Sequence, residues 1–134
     1  MPTAPDNAIT DFVEIRAGSA PVPYDMAARN IRKAAAWCWA SGWVYSETPR
    51  SMVIMDGVRG AAVHVVYSFT QAADGSLSYS IRGARHMIRL GAPAQHNQID
   101  NWAHGRLLQD CIYSHFTPEQ MKAAEEGKAR SYKP

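Results

Sequence analysis

Two cysteines, Cys38 and Cys111, are the side chains of this 134-residue chain whose chemistry depends most on where they sit. In "YDMAARNIRKAAAWCWASG" the apolar residues recur at helical spacing. At about 100° per residue Ala27, Ala28, Ile31, Ala34, Ala35 and Cys38 share one face. A second helical stretch, about residues 95–116, carries Ile99, Ala103, Leu107 and Cys111 at spacing four, with Leu108 beside them. If both helices cover the same side of a sheet, their stripes meet in one core. The two sulfurs can then bond, provided their Cα atoms lie within about 7 Å. Oxidised, the pair is a bridge favoured by an oxidising compartment. Reduced, each is a small buried apolar side chain. Both readings stay open. His104 and His115 stand at helical spacing from Cys111, but no oxyanion or orienting signature accompanies them, so no catalytic role is assigned.

The same stretch, "HNQIDNWAH", places His96, Asp100 and His104 at i, i+4 and i+8. Histidine and aspartate are ordinary ligands for zinc or copper. On a straight helix, however, the outer pair lies about 12 Å apart, so one ion can take only neighbours. A small-ligand or metal-binding enzyme built on His96, Asp100, His104 and Cys111 is therefore the alternative reading, and no cofactor or metal site is assigned. A third group lies on strands. His64 and Val66 alternate with a more apolar set. Together with Val53, Met55 and Arg82 they make a candidate interaction face, on the side of the sheet that the helices leave open.

These residues need a frame. Asp25 is a suitable N-cap for the first helix and Gly42 a suitable stop. Trp37 and Trp39 flank the helix end, and Trp43, just past Gly42, is expected to pack back across the helix–sheet corner. "WVYSE", "SMVIMD", "AAVHVVYSFT" and "LSYSIRG" read as strands. In the third, Val63, Val65, Tyr67 and Phe69 point one way and Ala62, His64, Val66 and Ser68 the other. "ADGS" supplies a hairpin, with Asp74 and Gly75 suited to positive φ. Gly105 lowers the helix propensity within the second helix but permits close approach. "TPEQ" is a capping box with Pro118 in the first helical position. The expected organisation is a flexible leader over residues 1–22, an α+β domain over 23–116, and a short C-terminal helix with a basic tail over 117–134. The fold class is α+β in two layers: an antiparallel meander of three to four strands with two helices packed on one face.

The totals suit one domain able to bury a core of its own. Apolar residues make up 46% and charged residues 19%, and the net charge is +2 with no dense Lys/Arg block, which argues against nucleic acid as a partner. No run approaches the roughly 20 apolar residues of a membrane helix. The opening "PTAPDNAIT" lacks the charged start and apolar stretch of a signal peptide. Phosphate-binding loops, dinucleotide fingerprints, serine elbows, zinc-protease helices and Cys-x-x-Cys pairs are absent from the sequence.

The order of motifs is informative where each motif alone is weak. An Ala-rich helix runs into Gly42-Trp43. Arg59-Gly60 precedes the clearest strand, Tyr79-x-Ile81 lies on the next, and Asn101-Trp102 sits in the second helix. Over about residues 22–113 this resembles a family of small bacterial cell-envelope lipoproteins. The resemblance implies a helix–meander–helix domain located in the periplasm or at the outer membrane, with no reaction attached. A lipid anchor would have to come from a longer precursor. On this basis the expectation is a non-enzymatic envelope protein that interacts with a protein partner, or with a second copy of itself, through its open sheet face or an edge strand.

Overall fold

Residues 76–83 show how the pattern becomes a sheet: Leu77, Tyr79 and Ile81 are buried while Ser78, Ser80 and Arg82 keep access to solvent. The structure, a computed structural model, describes residues 12–39, 42–58, 62–83, 92–108, 111 and 116–128. The chain runs β1 (Val13–Pro23), α1 (Tyr24–Cys38), β2 (Gly42–Thr48), β3 (Ser51–Val58), β4 (Ala62–Gln71), β5 (Ser76–Gly83), α2 (Ala92–Ala103) and α3 (Pro118–Glu125). The strands form one antiparallel sheet in the order β1-β5-β4-β3-β2. After β1, helix α1 carries the chain across to the far edge. The meander β2 to β5 then returns to pair with β1. The result is the two-layer α+β class that the pattern implies, with β1 as a fifth strand.

That fifth strand comes from the expected leader. Residues 13–22 are not a tether but an edge strand paired with β5 from Val13↔Gly83 to Pro23↔Ser76. Their small residues have a packing reason. Gly18 stands opposite Tyr79, and a methyl group on it would meet the Tyr79 ring and hydroxyl. Ala20 and Val22 are buried against α1 and the sheet. Pro21 and Pro23 are tolerated because an edge strand has one unpaired side. Gly18→Ala should therefore cost about 1–3 kcal/mol through overpacking. The check is a lower urea midpoint at unchanged slope.

The main core lies between the helices and one sheet face. Ala27, Ile31 and Ala34 of α1 are fully buried, as are Met52, Ile54, Phe69, Leu77 and Ile81 of the sheet and Ile99 and Trp102 of α2. Alanines on the inner stripe let α1 approach closely. Ile31 alone contributes about 1.5–3 kcal/mol by leaving water. The helix begins one residue before Asp25. Pro23 occupies the N-cap without a side-chain cap, and the Tyr24 N–H donates to the Gly75 carbonyl at 2.9 Å. The Asp25 carboxylate instead accepts from Met26 N–H at 2.9 Å within the first turn, where a negative charge suits the helix dipole. The helix ends at Cys38. Gly42 is the first residue of β2, and its N–H donates to the Trp39 carbonyl at 2.8 Å.

Two glycines end helices by the same device. Gly105 (φ +89°) donates to the Trp102 carbonyl and Arg106 to the Asn101 carbonyl, both at 2.9 Å. This is a Schellman stop, so α2 ends where a longer helix was expected. Gly127 (φ +75°) closes α3 likewise, with bonds from Gly127 to Ala124 and from Lys128 to Ala123. At its other end α3 has the expected capping box between Thr117 and Gln120, with Pro118 in the first turn. Helix α3 docks on the outer side of α1. Lys33 Nζ donates to the Glu125 carbonyl at 2.8 Å, Trp37 Nε1 to the Lys128 carbonyl at 3.0 Å, and Phe116 meets Trp37 edge-on at 5.9 Å.

Candidate functional site

The two cysteines are joined. Cys38, at the end of α1, and Cys111, eight residues beyond α2, form a disulfide with their Cα atoms 5.2 Å apart. Cys111 is not on the second helix, because Gly105 has already turned the chain. The turn brings Leu107 and Leu108 onto the main core and Cys111 back toward the end of α1. The thiolate that a nucleophilic or metal-ligating role would need is consumed by the bond. His115 lies outside the described residues.

Three polar residues of α2 are held from outside the helix, by the sheet and by Trp39 at the end of α1. The Tyr79 hydroxyl and His96 Nδ1 are hydrogen-bonded. Gln95 Nε2 donates to the Tyr67 hydroxyl at 2.7 Å, and the Trp39 indole N–H donates to buried Gln98 Oε1 at 2.9 Å. Trp39 in turn stacks on Tyr67 with ring centroids 3.9 Å apart and tilts against Trp102 at 4.9 Å. The bonds at Gln95, His96 and Gln98 fix the seating of the helix, while Gln95 Oε1 is buried without a hydrogen-bond partner among the described residues. His104 faces its own helix end, with Nδ1 2.8 Å from the Asp100 carbonyl and 3.8 Å from the Asp100 carboxylate. His96, Asp100, His104 and Cys111 are therefore not brought into one group. Among the described residues no three His, Cys, Asp or Glu side chains are placed to share a metal ion.

The side of the sheet opposite the helices has two parts. Residues paired directly across strands point to the same side. The first row is Trp43–Met55–Val66–Arg82–Glu14. Here the expected open face is corrected: Met55 is 1% exposed and Val66 5%, in a second apolar cluster with Phe12 and Val63, against which Trp43 and Val53 pack. Phe12, just ahead of β1, packs in this cluster, and its carbonyl accepts from Arg82 at 3.5 Å. Trp43 thus belongs to the reverse side, not the helix–sheet corner. Val63 also changes side. Asp56 pairs with Val65 and Gly57 with Val63, leaving His64 as the extra residue of a bulge. Past the bulge the alternation flips, so Val63 joins Val66 and not Val65.

The second part is open. Its rows are Ser46–Val53–Ser68–Ser80–Ala17 and Thr48–Ser51–Thr70–Ser78–Ser19. Neither contains a charged side chain, and none of these residues is buried. At about 4.8 Å between strands the five-strand width is roughly 20 Å. Val53 is the one member of the expected interaction face that lies within these rows. Beside them β2 is an edge strand, with Val44 and Tyr45 exposed at a bulge.

Burial pushes the Asp56 carboxyl above its ordinary value, against the pull of the Gly57 N–H and the nearby His64. Burial and the Asp56 charge raise the Tyr67 hydroxyl far above the usual phenol range. For Asp56 the folded chain holds its proton more tightly than the unfolded chain. Stability attributable to this group therefore falls as pH rises above the ordinary value of 3.8. Asp56→Asn should unfold with less dependence on pH than the parent, and at pH 7 should be the more stable of the two. Thermal melts at acid and neutral pH check both statements.

One feature of the surface escapes a count of net charge. Arg29, Arg32 and Lys33 follow i, i+3, i+4 on the outer side of α1, opposite the alanine stripe, and with Lys128 they line a groove. The spacing was present in "ARNIRKAAA" as a signal. The fold and the disulfide define a two-layer α+β domain with a covalent tie across its helical layer. No family model, no curated protein and no solved structure matches the chain.

Proposed function

We propose that this chain is a non-enzymatic domain of the bacterial cell envelope that works by protein contact, through the open rows of its sheet and the adjoining edge strand β2. The observation that carries this reading is the uncharged hydroxyl surface running across all five strands. Soluble proteins ordinarily intersperse charges on a solvated sheet face. A broad face without them suits a flat partner that satisfies hydroxyls by hydrogen bonding, either a second copy or another envelope protein. The Cys38–Cys111 bond supports an oxidising compartment such as the periplasm or the outer-membrane surface. No helix among the described residues is long and apolar enough to cross a membrane.

The test places bulk and charge in the centre of the open rows, with Ser68→Arg and Ser80→Arg. Sedimentation of the parent at increasing concentration should show self-association, or cross-linking in an envelope fraction should show a discrete adduct. Either should be lost in the double variant at unchanged melting temperature. A parent that stays monomeric and forms no adduct, or a variant that behaves as the parent does, contradicts the reading.

A further inference from the structure

The outer face of α1 carries a concentration of positive charge that the contact surface does not use. Arg29, Arg32, Lys33 and Lys128 line a groove of about 410 Å³ whose remaining lining is Ala36 and Gly127. Like charges at i, i+3 and i+4 on one helix repel each other. The acidic compensation is partial. Arg32 pairs with Glu47 at 2.9 Å, and Lys128 with Glu126 at 3.5 Å through two largely exposed side chains. Lys33 donates to the carbonyl of Glu125 and makes no ion pair among the described residues. Arg29 is exposed and makes no ion pair or hydrogen bond among the described residues. The groove is also held in shape. Gly127 adopts φ +75° and lies against the Lys33 stem, and the Trp37 bond to the Lys128 carbonyl anchors the opposite wall.

We propose that this groove binds a phosphate-ester anion, with the Arg29 guanidinium and the Lys33 ammonium as its principal contacts and Arg32 and Lys128 at the rim. A guanidinium presents paired N–H donors that match two phosphate oxygens, and an ammonium adds a compact charge beside them. The partly apolar lining leaves room for a small organic substituent on the phosphate. Both a soluble phosphorylated metabolite and an anionic phospholipid headgroup carry this chemistry.

The test titrates the oxidised protein at low salt with inorganic phosphate and with glycerol 3-phosphate, and measures its flotation with phosphatidylglycerol and with phosphatidylcholine vesicles. The variant is Arg29→Gln with Lys128→Gln, both exposed positions, and its melting temperature serves as the folding control. Saturable binding of phosphate or its ester, weakened at least tenfold in the variant, supports the site. Flotation with phosphatidylglycerol alone, competed by glycerol 3-phosphate, supports it and identifies the lipid headgroup as the source. Binding of the soluble probes without flotation supports it and identifies a soluble ligand. Absence of binding in both arms overturns it. So does equal affinity in parent and variant, which would mean general attraction of anions.

Discussion

Cys38→Ser should lower the stability of the oxidised protein by about 4 kcal/mol, since the bond spans 73 residues of chain and removes that loop's freedom from the unfolded state. For a domain of this size the drop corresponds to a melting point lower by on the order of 10–15 °C. Cys111→Ser should have the same effect, and the double variant should add little to either. That non-additivity is the signature of a shared bond. Addition of reductant should bring the parent to the variants' midpoint and leave the variants where they are. The loss should also be uneven. The bond joins the end of α1 to the segment beyond α2, so hydrogen exchange should rise first in residues 104–108 and the last turn of α1. The β4–β5 hairpin, buried at Phe69, Leu77 and Ile81, should retain its protection.

Met55→Asp should unfold the domain under conditions where Ser68→Arg leaves it intact. Met55 is 1% exposed and sits with Val66, Val63 and Phe12 on the reverse side of the sheet. Removing the methionine side chain alone would cost about 2–5 kcal/mol. An unpaired carboxylate in its place adds a desolvation penalty of several kcal/mol more. The sum approaches the whole stability of an ordinary domain, about 5–15 kcal/mol. Circular dichroism of Met55→Asp should show loss of the cooperative melt. A well-folded Met55→Asp that only alters association would return Met55 to the surface and restore the wider open face that the alternation of β3 and β4 had suggested. Val66→Asp offers a second reading of the same point.

The contrast between these positions shows where local pattern sufficed. The stripe Ala27, Ala28, Ile31, Ala34 and Ala35 is buried as its spacing implies, because a helix's inner face is set by its own period. The meander from Val44 to Ile81 was legible for the same reason, as was the capping box at Thr117. What failed depends on partners distant in sequence. Nothing local marks "RAGSAPVP" as a strand; its glycine and alanines make sense only against Tyr79 and α1. The bulge at His64 is a mismatch between two strands, invisible in either one, yet it moves Val63 to the other face. Gly105 was compatible with both an interrupted and an ended helix, and the two backbone bonds of the Schellman turn decide between them. The cysteines were placed on the right core by a helix that does not extend as far as Cys111, so the pairing was accessible although its geometry was not. Three cations of the basic groove were in plain view at helical spacing. The fourth, Lys128, arrives only through the docking of α3.

The account depends on a chain that matures where thiols oxidise and then holds its helical layer by one covalent tie. Its most direct test is the intact mass of the protein taken from its native compartment, alkylated without reductant. The account predicts a mass two hydrogens below that of the reduced chain and no alkyl group, with two groups added once a reductant precedes the alkylation. Two alkyl groups on the unreduced protein would contradict it.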